Sequence, residues 1–190
     1  HPTVDRSPSY QVFVDHPAWG PLQGSILGLS YGTGEVYLIL RDDVPTADGS
    51  TVTQGGVVKL GIQLPTGLLT GRIHPTTGDL YVCGLFGWSS DRTEPGGFYR
   101  IRPNTEQWAD TLNVPHQMRA VSDGLELTFL HPLDRSTATN PDRWDAAAWN
   151  YRRTSDYGSA DYSLDGRRGA RTSWRVREVT LSPDERTVRL

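Results

Sequence analysis

Cysteine and lysine are almost missing from this 190-residue chain: Cys83 is the only cysteine and Lys59 the only lysine, and the other 18 basic side chains are arginine. One cysteine excludes an intrachain disulfide and any Cys-x-x-Cys metal or haem motif. Arginine enrichment alone is not a heat signature and is read most simply as the codon bias of a GC-rich genome. No apolar run approaches the ~18–20 residues that a membrane-spanning helix needs, so no membrane span is expected. No signal peptide is seen. The net charge of −3 gives no global attraction to nucleic acid or to an acidic membrane. The chain opens at His1 without a methionine and stops on a strand residue, Leu190, which reads as a processed or trimmed product.

What is abundant is turn chemistry. Twenty glycines and 13 prolines against 36% hydrophobic residues favour many short strands over helices. Residues 1–24 are rich in proline and glycine around one alternating stretch, Tyr10–Val14, and read as an extended arm with one strand. Strand-like runs follow at Ser25–Tyr31, Glu35–Leu40, Val57–Leu60, Leu68–Ile73, Asp79–Cys83 and Gly97–Arg102. Ala47-Asp48-Gly49-Ser50 is a hairpin turn, because Asp-Gly tolerates positive φ. A strand entering His74-Pro75-Thr76-Thr77-Gly78-Asp79 and leaving through Leu80-Tyr81-Val82 has the local grammar of a β-propeller blade. Residues 25–105 hold two such units, too few to close a propeller. A polar boundary is expected near 103–114. Beyond it, Leu125, Leu127 and Phe129 alternate with Glu126 and Thr128 as a half-buried strand. Ser136–Asn140 reads as a short helix or turn, and Val176–Leu181 with Thr187–Leu190 as a hairpin.

The second half, 114–190, resembles a bacterial Ig-like domain of the surface-layer type. The residues that carry this are Asp123-Gly124-Leu125-Glu126-Leu127-Thr128-Phe129, Pro132-Leu133-Asp134 and Val179-Thr180-Leu181-Ser182-Pro183-Asp184-Glu185-Arg186-Thr187-Val188. His131 stands where a small or acidic residue is more usual, and 141–172 is longer than the common pattern. The whole chain is similar to one region of large secreted bacterial proteins that join a sugar-dehydrogenase-like propeller to c-type cytochrome modules. The matching strings are Tyr31-Gly32-Thr33-Gly34, Gln54-Gly55-Gly56-Val57-Val58, Leu80–Trp88, Pro95–Arg100 and Trp149-Asn150-Tyr151-Arg152-Arg153. The resemblance implies a mostly β fold, propeller-blade-like antiparallel hairpins followed by an Ig-like β-sandwich, in a bacterial protein that is secreted, extracellular or at the cell surface. Any haem or redox role would lie elsewhere in such a protein.

Candidate chemistry is sparse. His1, His16, His74 and His131 all precede proline, which makes extended or turn dipeptides. No His/Cys cluster has metal-ligand spacing. An N-terminal histidine chelates copper through its amine and ring when a second histidine completes the site, so His1 is the one copper candidate. There is no G-x-S-x-G, and the glycine pairs lack the following helix of a phosphate loop. The carboxylate pairs Asp42/Asp43 and Asp184/Glu185 are expected in solvated turns. No catalytic residue and no cofactor is therefore assigned.

The most distinctive segment is 144–175, where Trp144, Trp149, Tyr151, Arg152, Arg153, Tyr157, Tyr162 and Trp174 interleave aromatics with arginine. Such residues cap a small core while arginines extend outward, anchor a protein interface, or stack on a polysaccharide. Asp145, Asp156, Asp161 and Asp165 soften the positive field and argue against nucleic acid. The expected function is a non-catalytic structural or interaction module, self-assembling or bound to other chains. The alternative is a fragment of a sugar-dehydrogenase-like oxidoreductase whose active and haem sites lie elsewhere.

Overall fold

A computed structural model describes residues 5–88, 90–155 and 158–190. The chain is mostly β, 46% strand against 10% helix, in antiparallel sheets with no closed barrel among the described residues. Its strands are β1 (Pro8–Phe13), β2 (Ile26–Ser30), β3 (Glu35–Pro45), β4 (Thr51–Gln63), β5 (Gly67–Ile73), β6 (Leu80–Leu85) and β7 (Gly96–Ile101). Helix α1 (Thr105–Thr111) precedes β8 (Pro115–Val121) and β9 (Gly124–Phe129), and α2 (Arg135–Ala138) follows. The last strands are β10 (Asp145–Ala148), β11 (Thr172–Arg175), β12 (Thr180–Leu181) and β13 (Thr187–Arg189). Two compact units result, one ending at His131 and one spanning Pro132–Leu190.

In the first unit β1-β2-β3-β4 form an antiparallel meander and β5-β6-β7 a second, three-stranded one. Alternation dictates the core. Leu27 and Leu29 of β2, Val36, Leu38 and Leu40 of β3, Leu68 of β5, and Leu80 and Val82 of β6 all turn inward and are buried. Each such side chain is worth about 1.5–3 kcal/mol of transfer free energy. The Asp-Gly turn closes β3 to β4 as expected, with Gly49 at φ 81°. The strands on either side run further than their apolar residues indicated, to 11 and 13 residues. Cross-strand polar pairs such as Asp43–Thr53 at 2.6 Å carry the ladder outward.

Within residues 1–24 the one expected strand is present as β1, and the departure from an extended arm lies at Pro17–Leu22. β1 is an edge strand of the first sheet, and Pro17–Leu22 forms a 3₁₀ turn whose Trp19 and Leu22 are fully buried. The Trp19 indole N–H donates to the Gly78 carbonyl at 2.8 Å, and its ring lies 5.6 Å from that of Trp108. Gly78 is required here twice over. Its φ is +74°, and a Cβ would stand 2.5 Å from His16 Nδ1 and 2.7 Å from Ala18 Cβ.

The boundary also falls later than the expected 103–114. Residues 105–111 are helix α1, opened by Asn104, whose side chain accepts the Gln107 N–H at 3.2 Å. The β8-β9 hairpin belongs to the first unit, where Arg119 clasps Asp42 of β3 at 2.7 and 3.0 Å. The Gln54 side chain meanwhile takes both the N–H and the carbonyl of Ala120. In 114–190 every described strand has an antiparallel partner: β8 with β9, β10 with β11, and β12 with β13.

Truncating Trp19 should be among the most damaging single changes. Trp19→Ala is expected to lower the unfolding free energy by about 3–5 kcal/mol, read by urea denaturation. Trp19→Phe should cost less, about 1–3 kcal/mol, because the ring volume largely remains while the Gly78 carbonyl loses its donor.

Candidate functional site

The aromatic and arginine segment lies within the second unit. Asn140 opens a 3₁₀ turn at Pro141–Arg143 by accepting the Asp142 N–H at 3.0 Å. Trp144 then turns back, its indole N–H donating to the Ala138 carbonyl at 2.8 Å, and is half-buried. β10 and β11 pair with Ala146 opposite Trp174 and Asp145 opposite Arg175. The long connection between them is pinned where Asn150 and Tyr162 exchange backbone hydrogen bonds of 2.7 and 2.9 Å. A buried Ser163 receives the Arg167 N–H at 3.0 Å.

Within this frame most of the interleaved residues satisfy one another. The Arg171 guanidinium lies 3.9 Å over the Trp149 ring while its Nε meets Asp161 at 2.6 Å. Arg152 lies 4.2 Å over the Tyr162 ring. Arg167 pairs with Asp165 at 3.0 Å. Cation–π pairs of this kind contribute about 0.5–1 kcal/mol each at exposed sites. The segment therefore divides. Trp144, Trp149, Tyr162 and Arg152 help to build the unit. Tyr151, 66% exposed, Trp174, 56% exposed, and Arg153 face solvent. Tyr157 lies outside the described residues. Next to Trp174 along the chain, Arg175, Val176 and Arg177 join Pro141 and Asp142 around an open concavity of about 590 Å³. Two arginines against one aspartate make its rim basic. It offers stacking and charge-assisted hydrogen bonds, and no nucleophile paired with a base lines it.

His16 and His74 are turn caps, a role that sequence reading did not assign. His74 Nδ1 accepts the N–H groups of Thr76 and Thr77, both at 3.2 Å, and His16 Nδ1 accepts the Ala18 N–H at 3.1 Å. A ring nitrogen placed two bonds beyond Cβ does here what an aspartate oxygen does at an Asx turn. His131 uses its backbone, donating to and accepting from the Asn113 side chain at 3.0 and 3.2 Å. His1 lies outside the described residues. Among the described residues, no three His, Cys, Asp or Glu side chains converge as a metal site.

The carboxylate pairs are likewise accounted for. Asp42 and Asp43 sit on β3 rather than in a turn. The Arg119 hydrogen bond holds Asp42 below the ordinary carboxylate range, and the Thr53 hydroxyl does the same for Asp43. Asp184 caps its turn by accepting the Arg186 N–H at 3.3 Å, and Glu185 pairs with Arg135 at 3.0 Å. No helix among the described residues is long and apolar enough to cross a membrane. The chain matches no family model, no curated protein and no solved structure.

Two measurements check these roles. His74→Ala should destabilise the chain by about 1 kcal/mol, as loss of a cap does, whereas His74→Asp should recover most of that loss in thermal denaturation. Asp134, which caps α2, is drawn from the ordinary 3.8 to about 2 by the Ser136 hydroxyl and then the Thr137 side chain and N–H. The native state binds this proton less readily than the unfolded chain, so the stabilisation is complete above the ordinary value and is lost as pH falls through about 2. Carboxyl NMR should give an Asp134 midpoint near 2, and Asp134→Asn should flatten the acid limb of stability between those values. A midpoint at the ordinary value would remove the cap from this account.

Proposed function

We propose that the chain is a non-catalytic extracellular interaction module that associates with copies of itself or with other protein chains. The residues responsible are the exposed Tyr151 and Trp174, the latter followed along the chain by the basic concavity at Arg175 and Arg177. The carrying observation is the exposure of these two aromatics, 66% and 56%, beside neighbours of the same type that are already stacked on arginine. Large aromatics next to arginine are the residue types that dominate interface energetics. A solvent-facing tryptophan on a hairpin is apolar area that association removes from water.

The extracellular setting rests on the resemblance carried by Leu80–Trp88 and Trp149–Arg153 to segments of secreted bacterial proteins. The same resemblance brings in the oxidoreductase alternative. The binding reading is preferred because the carboxylate pairs Asp42/Asp43 and Asp184/Glu185 and the histidines His16 and His74 are occupied as caps and ion pairs, while Tyr151 and Trp174 stand exposed.

Sedimentation velocity over a range of micromolar concentrations tests this. Concentration-dependent association is expected, and Trp174→Ala should weaken it by about 2 kcal/mol, the threshold of an interface anchor. That loss corresponds to roughly 30-fold in Kd. Tyr151→Ala should have a smaller effect. A chain that stays monomeric at every concentration, or an association that both substitutions leave unchanged, overturns the proposal. Retention of the monomer on a polysaccharide matrix, lost in Trp174→Ala, would reassign these residues to a glycan.

A further inference from the structure

The three-stranded sheet β5-β6-β7 ends on β7, which pairs only with β6 among the described residues, whereas the other meander of the same unit has four strands. The phase of its ladder is fixed by one bond beyond the strands. The Phe86 N–H donates to the Pro95 carbonyl at 3.2 Å, which continues the register Leu85↔Gly96 by one residue. In an antiparallel ladder bonded and non-bonded pairs alternate, so Gly84↔Gly97, Val82↔Tyr99 and Leu80↔Ile101 are the bonded pairs. The N–H and C=O groups of Gly96, Phe98 and Arg100 therefore point away from β6.

Side chains follow the same alternation. Tyr99 and Ile101 lean onto the hydrophobic core. Phe98 lies on the other face, stacked on Tyr81 at 5.6 Å and still 71% exposed. Arg100 and the next outward residue, Arg102, share the carboxylate of Asp79, at 3.9 and 3.5 Å. That side chain is only 7% exposed, while the arginines stay at 51% and 65%. One buried negative charge between two exposed positive ones leaves the edge basic. Unpaired edges are commonly blunted by proline, a bulge or charge; β7 has neither of the first two, and the edge charges, Arg100 and Arg102, repel a like-charged strand while admitting carboxylates.

We propose that this edge accepts a fourth strand from another protein, an extended segment alternating apolar and acidic residues. Its backbone would bond to Phe98 and Arg100. Its apolar side chains would extend the inner row of Tyr99 and Ile101, and its carboxylates would meet Arg100 and Arg102. This is strand addition at a sheet edge, with the backbone giving affinity and the alternate side chains giving selection. Pairing of β7 with β7 of a second copy is disfavoured, because it crowds Arg100 and Arg102 of both copies onto one short ribbon. The proposal stands apart from Tyr151 and Trp174.

The test uses the full chain and two blocked peptides, Thr-Val-Glu-Val-Glu-Val-Thr and its lysine counterpart, with amide exchange read by NMR. The Phe98 and Arg100 amides should exchange as open groups in the free chain and slow by about tenfold or more with the glutamate peptide. The lysine peptide should bind about tenfold more weakly. Phe98→Pro removes an outward N–H at an edge position, where proline is tolerated, and should abolish binding. Should that variant fail to fold, Arg100→Gln keeps the backbone and should shrink the preference for glutamate over lysine. Amides already protected in the dilute free chain overturn the proposal, as does peptide binding that neither substitution alters. Protection that rises with protein concentration alone assigns the edge to a second copy and also overturns it. Trp174→Ala should bind the glutamate peptide normally, so failure here and failure of the self-association reading remain distinguishable.

Discussion

One buried indole organises the first unit. Trp19 lies in a proline-bracketed 3₁₀ turn that has no ladder of its own, yet it is fully buried between the Gly78 turn and Trp108. Its N–H satisfies a carbonyl at the turn between β5 and β6, so the N-terminal segment, the second sheet and α1 meet on a single side chain. The contact needs a glycine at 78, because the positive φ and the approach of His16 and Ala18 leave no room for a Cβ. His16 in turn is fixed by capping the same 3₁₀ turn. Four local choices (histidine cap, proline start, buried tryptophan, left-handed glycine) thus depend on one another, and such mutual support is what gives a fold a single low-energy arrangement.

The strands were legible because their signal is local. Apolar side chains two residues apart at Leu27/Leu29 and Val36/Leu38/Leu40 follow the pleat and are buried, whereas in β9 the expected alternation fails: Leu125 is exposed while Glu126 and Thr128 are half-buried. The Asp48-Gly49 turn was legible for the same reason. What sequence alone concealed was tertiary in origin. A tryptophan in a stretch rich in proline and glycine has no periodicity to announce its burial, so residues 1–24 read as an arm with a single strand at Tyr10–Val14, and the 3₁₀ turn at Pro17–Leu22 went unread. Helix α1 did carry a signal, since Asn104 and Gln107 are spaced as a capping pair. With only seven residues, the helix falls below the length at which periodicity is visible.

The aromatic and arginine segment shows the same limit at the level of function. Composition placed Trp149, Tyr151, Tyr162 and Trp174 in one class, and only the backbone path separates them. Tyr162 is drawn in because its main chain bridges Asn150 and Arg168. Trp149 is drawn in because Arg171 reaches it from a neighbouring turn while holding Asp161. Trp174 sits opposite Ala146 on a two-stranded hairpin, where the cross-strand neighbour is too small to cover a ring. Which of these rings stays exposed thus depends on the backbone path and the neighbours that it brings, information that no linear reading of 144–175 contains.

Arginine enrichment, read from composition as a genomic bias, acquires a structural use in this fold. Lys59 acts as a point charge, its ammonium 3.0 Å from both oxygens of Glu35. The arginines do what an ammonium cannot. Arg171 lays a planar face on Trp149 and turns an edge N–H to Asp161, and Arg119 grips Asp42 with two donors. Arg72 lies 5.0 Å over the Tyr10 ring and also donates to its hydroxyl. A guanidinium combines stacking and forked hydrogen bonding in one rigid group, whereas lysine offers only one of these at a time. In the second unit, where few apolar side chains are fully buried, the stacks of Arg171 on Trp149 and Arg152 on Tyr162 stand where aliphatic packing stands in the first.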